Sequence, residues 1–249
     1  MVRMILCGAN GKMGKVIQSV VAARNDCEIV AGVDINTESS LFPVYATIGE
    51  VKEEADVIVD FTNPILLNDL LAFAVNKAMP VVIATTGYDE SQKKQIEEAS
   101  KKTPVFFTYN MSLGINLLAN LAKKAVSVLG DGFDIEIVEK HHNQKIDAPS
   151  GTALMLADAI CGELDQPMKY EYDRHAKREK RTKNEIGMHA IRGGTIVGEH
   201  EIIFAGRDEI ITLSHSARSK EVFAVGAVNA AVFMKGKQPG MYDMSGLVG

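Results

Sequence analysis

Along the first hundred or so positions, unbroken apolar runs alternate with stretches of helical periodicity. "MILCG", "EIVAGVD", "ADVIVDFT", "MPVVIATTG" and "TPVFFTYN" are short, rich in β-branched residues, and end in small or polar groups. They read as strands buried on both faces. Between them lie "KVIQSVVAAR", with Val16, Ile17, Val20 and Val21 at helical intervals, "NPILLNDLLAFAVNKA" and the amphipathic "YDESQKKQIEEASKK". Strand and helix in this rhythm predict a parallel sheet with right-handed crossovers.

Beyond residue 111 the rhythm breaks. A helix over "SLGINLLANLAKKAVSVLG" leads to "GFDIEIVEKHH", where Phe133, Ile135 and Ile137 alternate as on a strand with one covered face. A helix over "SGTALMLADAICGEL" follows, then a charge-rich stretch at 165–188. "GGTIVGEHEIIFAG" and "DEIITLSHSAR" read as an antiparallel pair. The last helix, "KEVFAVGAVNAAVFMKG", is apolar on most sides, so it is expected to pack back on the first domain. The pattern predicts an α/β protein: an N-terminal Rossmann-like parallel-sheet domain (1–111 and 219–249), and a second α+β domain with a mixed or antiparallel sheet (112–218). Closing of a cleft between two such domains would exclude water.

Chemistry enters at the first strand end. "GANGKMG" places Gly8, Gly11 and Gly14 at G-x-x-G-x-x-G spacing, one position away from the commonest dinucleotide fingerprint. Its context of strand, glycine turn and helix is what such a motif requires. Glycines let the backbone approach a pyrophosphate, and a helix N-terminus offers free amides. Asp34 closes the second strand about 20 residues further on, where a carboxylate can accept from ribose hydroxyls. The tips Asp60-Phe61-Thr62, Thr85-Thr86-Gly87 and Tyr109-Asn110-Met111 are candidate walls of a nicotinamide pocket, because ligands sit at the carboxyl ends of open parallel sheets. Asp34 would repel a 2′-phosphate, Lys12 would attract one, and Ile35 adds no charge. The balance leans to NADH over NADPH.

The second candidate is "EKHHNQKIDAPSGTA" at 139–153. A metal site is disfavoured, because neighbouring strand residues such as His141 and His142 point to opposite faces and no HExxH accompanies them. Ser150 lacks the G-x-S-x-G setting of a nucleophile. Two readings stay open. One is a turn in which Ser150 merely caps a helix. The other is an anion seat in which the amides of Ser150, Gly151 and Thr152 receive a carboxylate, Lys145 adds charge, and His141 or His142 exchanges a proton near neutral pH. Asp147 would orient the loop or cap the helix. With a dinucleotide domain, the second reading describes hydride transfer to an anionic, unsaturated small molecule. A dinucleotide-sensing binding protein, or a reductase for aspartate-derived aldehydes, is the competing reading.

Composition narrows the partners. The 249 residues are 46% hydrophobic and 24% charged with net charge −5, so bulk electrostatics do not favour nucleic acid. The basic run "RHAKREKRTK" at 174–183 is either a solvated loop or a steering patch for an anionic ligand. Cys7, Cys27 and Cys161 form no CxxC pair, and no stretch reaches the length of a membrane span. The N-terminal apolar run is too short for a secretory segment. A cytoplasmic protein without membrane or nucleic-acid partners is expected.

The motifs "GANGKMG", "DFT", "TTG", "NMSLGIN" and "EKHHNQKIDAPSGTA", in this order and spacing, make the chain resemble the 4-hydroxy-tetrahydrodipicolinate reductase (dihydrodipicolinate reductase) family over essentially its whole length. The resemblance implies NAD(P)H-dependent reduction of a cyclic dicarboxylate imine to tetrahydrodipicolinate in lysine and diaminopimelate biosynthesis, with loss of water. It implies His141 as proton donor, Lys145 as its partner, and His142, Lys145, Gly151 and Thr152 as substrate contacts. It assigns Gly8, Asn10, Gly11, Lys12, Met13, Asp34, Ala84, Thr85, Thr86, Tyr109, Asn110 and Met111 to the coenzyme. To these the glycine-turn and strand-tip readings add Gly14 and Phe61. It further implies a homotetramer built through the second sheet. Ala84 and Ile35 depart from glycine and arginine found in other members, which bears on the coenzyme only.

Overall fold

The structure, a computed structural model, describes residues 1–38 and 41–248; Ser39, Ser40 and Gly249 lie outside the described residues. The chain runs β1 (Val2–Cys7), α1 (Lys12–Ala22), β2 (Cys27–Val33), β3 (Val44–Tyr45), β4 (Val57–Asp60), α2 (Leu67–Lys77), β5 (Val81–Ile83), α3 (Glu90–Ser100) and β6 (Pro104–Phe107). It continues through α4 (Leu113–Leu129), β7 (Asp134–His141), α5 (Gly151–Cys161), β8 (Lys169–Glu171), β9 (Glu185–Arg192), β10 (Gly198–Ala205) and β11 (Ile210–Ala217). It closes with α6 (Glu221–Met234), β12 (Gly240–Tyr242) and α7 (Ser245–Val248). Two compact units result: Met1–Leu113 with Lys220–Gly249, and Gly114–Ser219.

In the first unit, seven parallel strands lie in the order β12-β6-β5-β4-β1-β2-β3. From β3 inward this is the doubly wound 3-2-1-4-5-6 order, whose direction reverses between β1 and β4. Alternate strand residues feed two cores. Met4, Leu6, Val57 and Val59 meet Ile17 and Val20 of α1 and Ala227 and Ala231 of α6 on one face. Ile5, Ile58, Val81 and Ile83 meet Leu67, Leu70 and Leu71 of α2 and Ile96 of α3 on the other. Strands covered on both faces have no polar side to show, which is why they read as unbroken apolar runs.

The second unit carries a mixed sheet, β11-β10-β7-β9-β8. β10 runs antiparallel to β7 and β11, whereas β9 lies parallel to both β7 and β8. One face is covered by α4 and α5 through Ile115, Leu118, Ala153, Leu156 and Ile160, packed on Ile135, Ile137, Ile186, Ile202 and Phe204. The stretch 165–188, read from sequence only as polar and charge-rich, contains β8 and the start of β9. Two of its acids are neutralised locally: Glu185 by Arg174 at 2.6 Å, and Glu171 by Lys177. Charge pairing therefore hides strand residues that are nonetheless buried, Glu185 through Met188 among them.

Candidate functional site

The glycine turn joins β1 to α1 beside the point where strand order reverses. Gly8 holds φ +81, and a Cβ there would come within 2.7 Å of the Phe61 carbonyl oxygen. Only glycine meets both demands cheaply. Gly11 is the N-cap of α1, and no side chain caps that helix. Its first-turn amides and the positive end of its dipole therefore open toward the turn, with Lys12 as first residue. The Asp34 carboxylate accepts from the amides of Asn10 at 2.9 Å and Asn36 at 3.0 Å. Each oxygen keeps a second lone pair for a ligand hydroxyl. The Asn10 side chain donates to the carbonyls of Asn36 and Glu38, tying the turn to the chain beyond β2.

Next to this turn the strand tips enclose a cavity of about 360 Å³ lined by Met13, Phe61, Thr62, Ala84, Thr85, Thr86, Thr108, Tyr109, Asn110, Met111 and Phe223. Asp60 lies under it, 1% exposed. Its carboxylate accepts from the hydroxyls of Thr62 at 2.6 Å and Thr85 at 2.7 Å, linking the ends of β4 and β5. Burial pushes the Asp60 carboxyl above its ordinary range, against those hydrogen bonds. A turn that admits close approach, an uncapped helix start, a carboxylate with spare lone pairs and a largely apolar cavity fit a nicotinamide dinucleotide.

In the second unit the covered face of β7 changes character along its length. Ile135 and Ile137 belong to the core, and the same face then presents Glu139 and His141, both buried. Registers bring the other groups in: His200 of β10 stands opposite Glu139, and Arg192 of β9 beside His141. Arg192 binds Glu139 bidentately, Nη1 to Oε2 and Nη2 to Oε1, both at 2.7 Å. His141 Nδ1 lies 2.5 Å from Glu139 Oε2, and the Ser150 amide donates to Oε1 at 3.0 Å. Burial favours the neutral acid, yet the bonds from Arg192, His141 and Ser150 hold the Glu139 carboxyl below its ordinary value. Burial likewise pulls His141 below the usual histidine range, aided by Lys145 and Arg192 and opposed by Glu139. His200, 4% exposed, is pushed down to about 4, mainly by burial.

Ser150 caps α5, its Oγ accepting from the Ala153 amide at 3.1 Å and lying 3.0 Å from His200 Nε2. Ser150 thus caps the helix, and its amide and hydroxyl, one of the proposed carboxylate donors among them, both have protein partners here. Gly151 and Thr152 are the next residues of the helix start, the first exposed and the second half-buried. Lys145 Nζ lies 2.9 Å from Asp147 Oδ1, so Asp147 steadies the lysine and does not cap the helix. His142 follows the strand end, and its buried Nδ1 has no hydrogen-bond partner among the described residues.

The structure thus gathers Met13, Phe61, Ala84, Thr85, Thr86, Tyr109, Asn110 and Met111 around one cavity, and sets Gly8, Asn10, Gly11, Lys12, Gly14 and Asp34 in the adjoining turn. Thr85 points its hydroxyl down to Asp60 and shows the cavity its remaining surface. Sequence reasoning missed Thr108 and Phe223 of the cavity, and Glu139, Arg192 and His200 of the histidine cluster. Period-two spacing from Ile135 and Ile137 would have flagged Glu139; no local signal points to the other two cluster members.

Residues 2–111 match the family description "Dihydrodipicolinate reductase, N-terminus", and 114–248 match "Dihydrodipicolinate reductase, C-terminus". The chain is 56% identical to a 4-hydroxy-tetrahydrodipicolinate reductase of Caldanaerobacter subterraneus, covering 100% of this chain and 98% of that protein. It is 51% identical to one from Clostridium tetani, over 98% and 96%. Among solved structures it is similar to a dipicolinate-bound dihydrodipicolinate reductase from Paenisporosarcina sp. TG-14, with TM-score 0.79, 25% identity, and 98% and 97% coverage. Its fold also resembles that of the WlbA dehydrogenase of Bordetella pertussis, in complex with NADH and a sugar nucleotide, at TM-score 0.62 and 14% identity, over 96% and 90%.

Proposed function

The chain belongs to the dihydrodipicolinate reductase family, and we propose that it reduces 4-hydroxy-tetrahydrodipicolinate, a cyclic dicarboxylate imine, to tetrahydrodipicolinate with NAD(P)H, a step of lysine biosynthesis. The observation that carries the mechanism is His141, buried, oriented by Glu139, and set in the segment that bears Lys145 and opens α5.

When bound, a nicotinamide would supply a hydride to C4, the ring carbon conjugated with the C=N once the 4-hydroxyl has left as water. Gly8, Asn10, Gly11, Lys12 and Gly14 would hold its pyrophosphate, Asp34 its ribose, and Met13, Phe61, Ala84, Thr85, Thr86, Tyr109, Asn110 and Met111 its ring. The amides at Gly151 and Thr152 seat one substrate carboxylate, and His142 and Lys145 contact the diacid. Because an ionised carboxylate can only accept, Glu139 requires the proton on His141 Nδ1. Nε2 is then the nitrogen that serves the substrate. His141 is neutral in the unliganded protein at pH 7, given its lowered pKa. A dianion arriving beside it favours the imidazolium and loads Nε2 with the proton that goes to the imine nitrogen. Substrate and product are both tetrahydro acids, so the net change replaces the 4-hydroxyl by hydrogen: water leaves before the hydride arrives, and a final proton shift from the ring nitrogen to C5 restores the C=N. The Asp34 carboxylate and the absence of charge at Ile35 favour NADH over NADPH. By resemblance to the family, we read the protein as a cytoplasmic homotetramer; no described helix is long and apolar enough to cross a membrane.

The test follows absorbance of NADH and of NADPH on adding freshly prepared substrate. Oxidation of neither would end this reading, and a tenfold better KM for NADPH would reverse the coenzyme preference. His141→Asn and Lys145→Met should each lower kcat by about 10²–10⁴-fold, the usual worth of a positioned proton donor, with dinucleotide affinity unchanged. Near-normal turnover by either variant would remove that residue's role.

A further inference from the structure

Glu139 is a carboxylate at 0% exposure at the end of a core strand, and it takes four donors. The bidentate Arg192 alone would leave a lone pair on each oxygen. Here both oxygens bear an additional bond, one from the His141 ring and one from the amide of the α5 cap. Arg192 reaches further: its Nη2 also donates to the Asp147 carbonyl at 2.5 Å, and Asp147 in turn holds Lys145 at 2.9 Å. One guanidinium therefore fastens the carboxylate behind His141 and the loop that carries Lys145.

The ring of His141 is fixed on its other sides as well. His200 packs edge-on against it, with centroids 5.2 Å apart and planes at 76°. Nε2 faces Gly198, where a Cβ would come within 3.2 Å. With Nδ1 engaged, Nε2 is the ring nitrogen that takes no protein partner among the described residues. The charged or titratable groups around this ring are Glu139 on its own strand, Arg192 on β9, His200 on β10, and Lys145 with Asp147 on the loop after β7.

We propose that Glu139 and Arg192 are the positioning pair of the reaction: Glu139 fixes His141 as the Nδ1–H tautomer and supports its charged form, and Arg192 sets Glu139 and the Lys145 loop in one register. This deepens the function given above and rests on His141 as proton donor. Neither residue touches the reacting atoms; both act through His141 and Lys145.

The experiment measures kcat, KM and coenzyme affinity against pH for Glu139→Gln, Glu139→Asp and Arg192→Lys, with His141→Asn alongside. Loss of the carboxylate charge should lower kcat about 10²-fold near neutral pH, leave coenzyme affinity within twofold, and move the alkaline limb of the kcat profile down by at least one pH unit. Glu139→Asp should recover part of both. An unmoved limb in Glu139→Gln, while His141→Asn is inactive, would overturn the positioning role and leave the proton donor standing. Full turnover by His141→Asn would overturn both. Should Glu139→Gln not fold, ring nitrogen NMR of the wild-type protein decides. Neutral His141 protonated at Nδ1 supports the proposal, and protonation at Nε2 overturns it.

Discussion

Acidification should destabilise this protein through His200, by an amount that the structure sets. In an unfolded chain the ring titrates near 6.5, and in the fold at about 4. Above pH 6.5 it is neutral in both states and contributes no pH dependence. Between 6.5 and 4 the unfolded chain takes up a proton that the folded one refuses, so stability falls as pH falls. A gap of about 2.5 units at 1.36 kcal/mol each is on the order of 3 kcal/mol by pH 4, a sizeable share of a typical domain's margin. His141 and His215 are also depressed by burial and add the same sign, so the measurement must be a difference. Urea midpoints of wild type and His200→Asn, at fixed protein concentration, should converge as pH drops from 6.5 to 4, because only the wild type loses the His200 contribution. The two curves running parallel across that window would refute the account, as would a ring titration of His200 near 6.

Three further outcomes follow from geometry. Gly8→Ala should cost roughly 1–3 kcal/mol for a strained left-handed residue, more with the 2.7 Å approach to the Phe61 carbonyl. It should also weaken dinucleotide binding in calorimetry; unchanged affinity would contradict the placement of the turn. Asp60→Asn leaves the Thr62 and Thr85 hydroxyls competing for one acceptor. A stability loss of about 1–3 kcal/mol and a raised coenzyme KM are expected, and no change in either would show that the linked strand tips do not shape the cavity. Ser150→Ala removes the α5 cap, worth about 0.5–2 kcal/mol, and strips His200 Nε2 of its partner. A melting temperature equal to wild type would argue against that hydrogen bond.

The turn around Gly8 was legible because everything that makes it is local: an apolar strand, three glycines and a helical repeat within 20 or so residues. The His141 segment was legible as chemistry but not as geometry. Ser150 reads in sequence as a donor at a helix start, and nothing there says that Glu139 and His200 occupy its amide and hydroxyl. Glu139 lay within sight, two positions before His141 on a strand of period two. Arg192 did not. It reaches Glu139 through the parallel register of β7 with β9, a strand whose first half sits among charges that mask its burial. His200 arrives in the same way through the antiparallel register with β10. Strand pairing between distant segments is what a one-dimensional pattern leaves out.

The first unit takes its last helices and a sheet strand from the far end of the chain. During synthesis, β6 emerges from the ribosome long before β12, its neighbour in the sheet, and waits with one backbone edge bare while more than a hundred intervening residues are made. Exposed edges of this kind invite wrong pairings. The second unit, by contrast, is contiguous and can fold as it appears, so the order of translation favours the histidine cluster forming before the sheet of the first unit is complete.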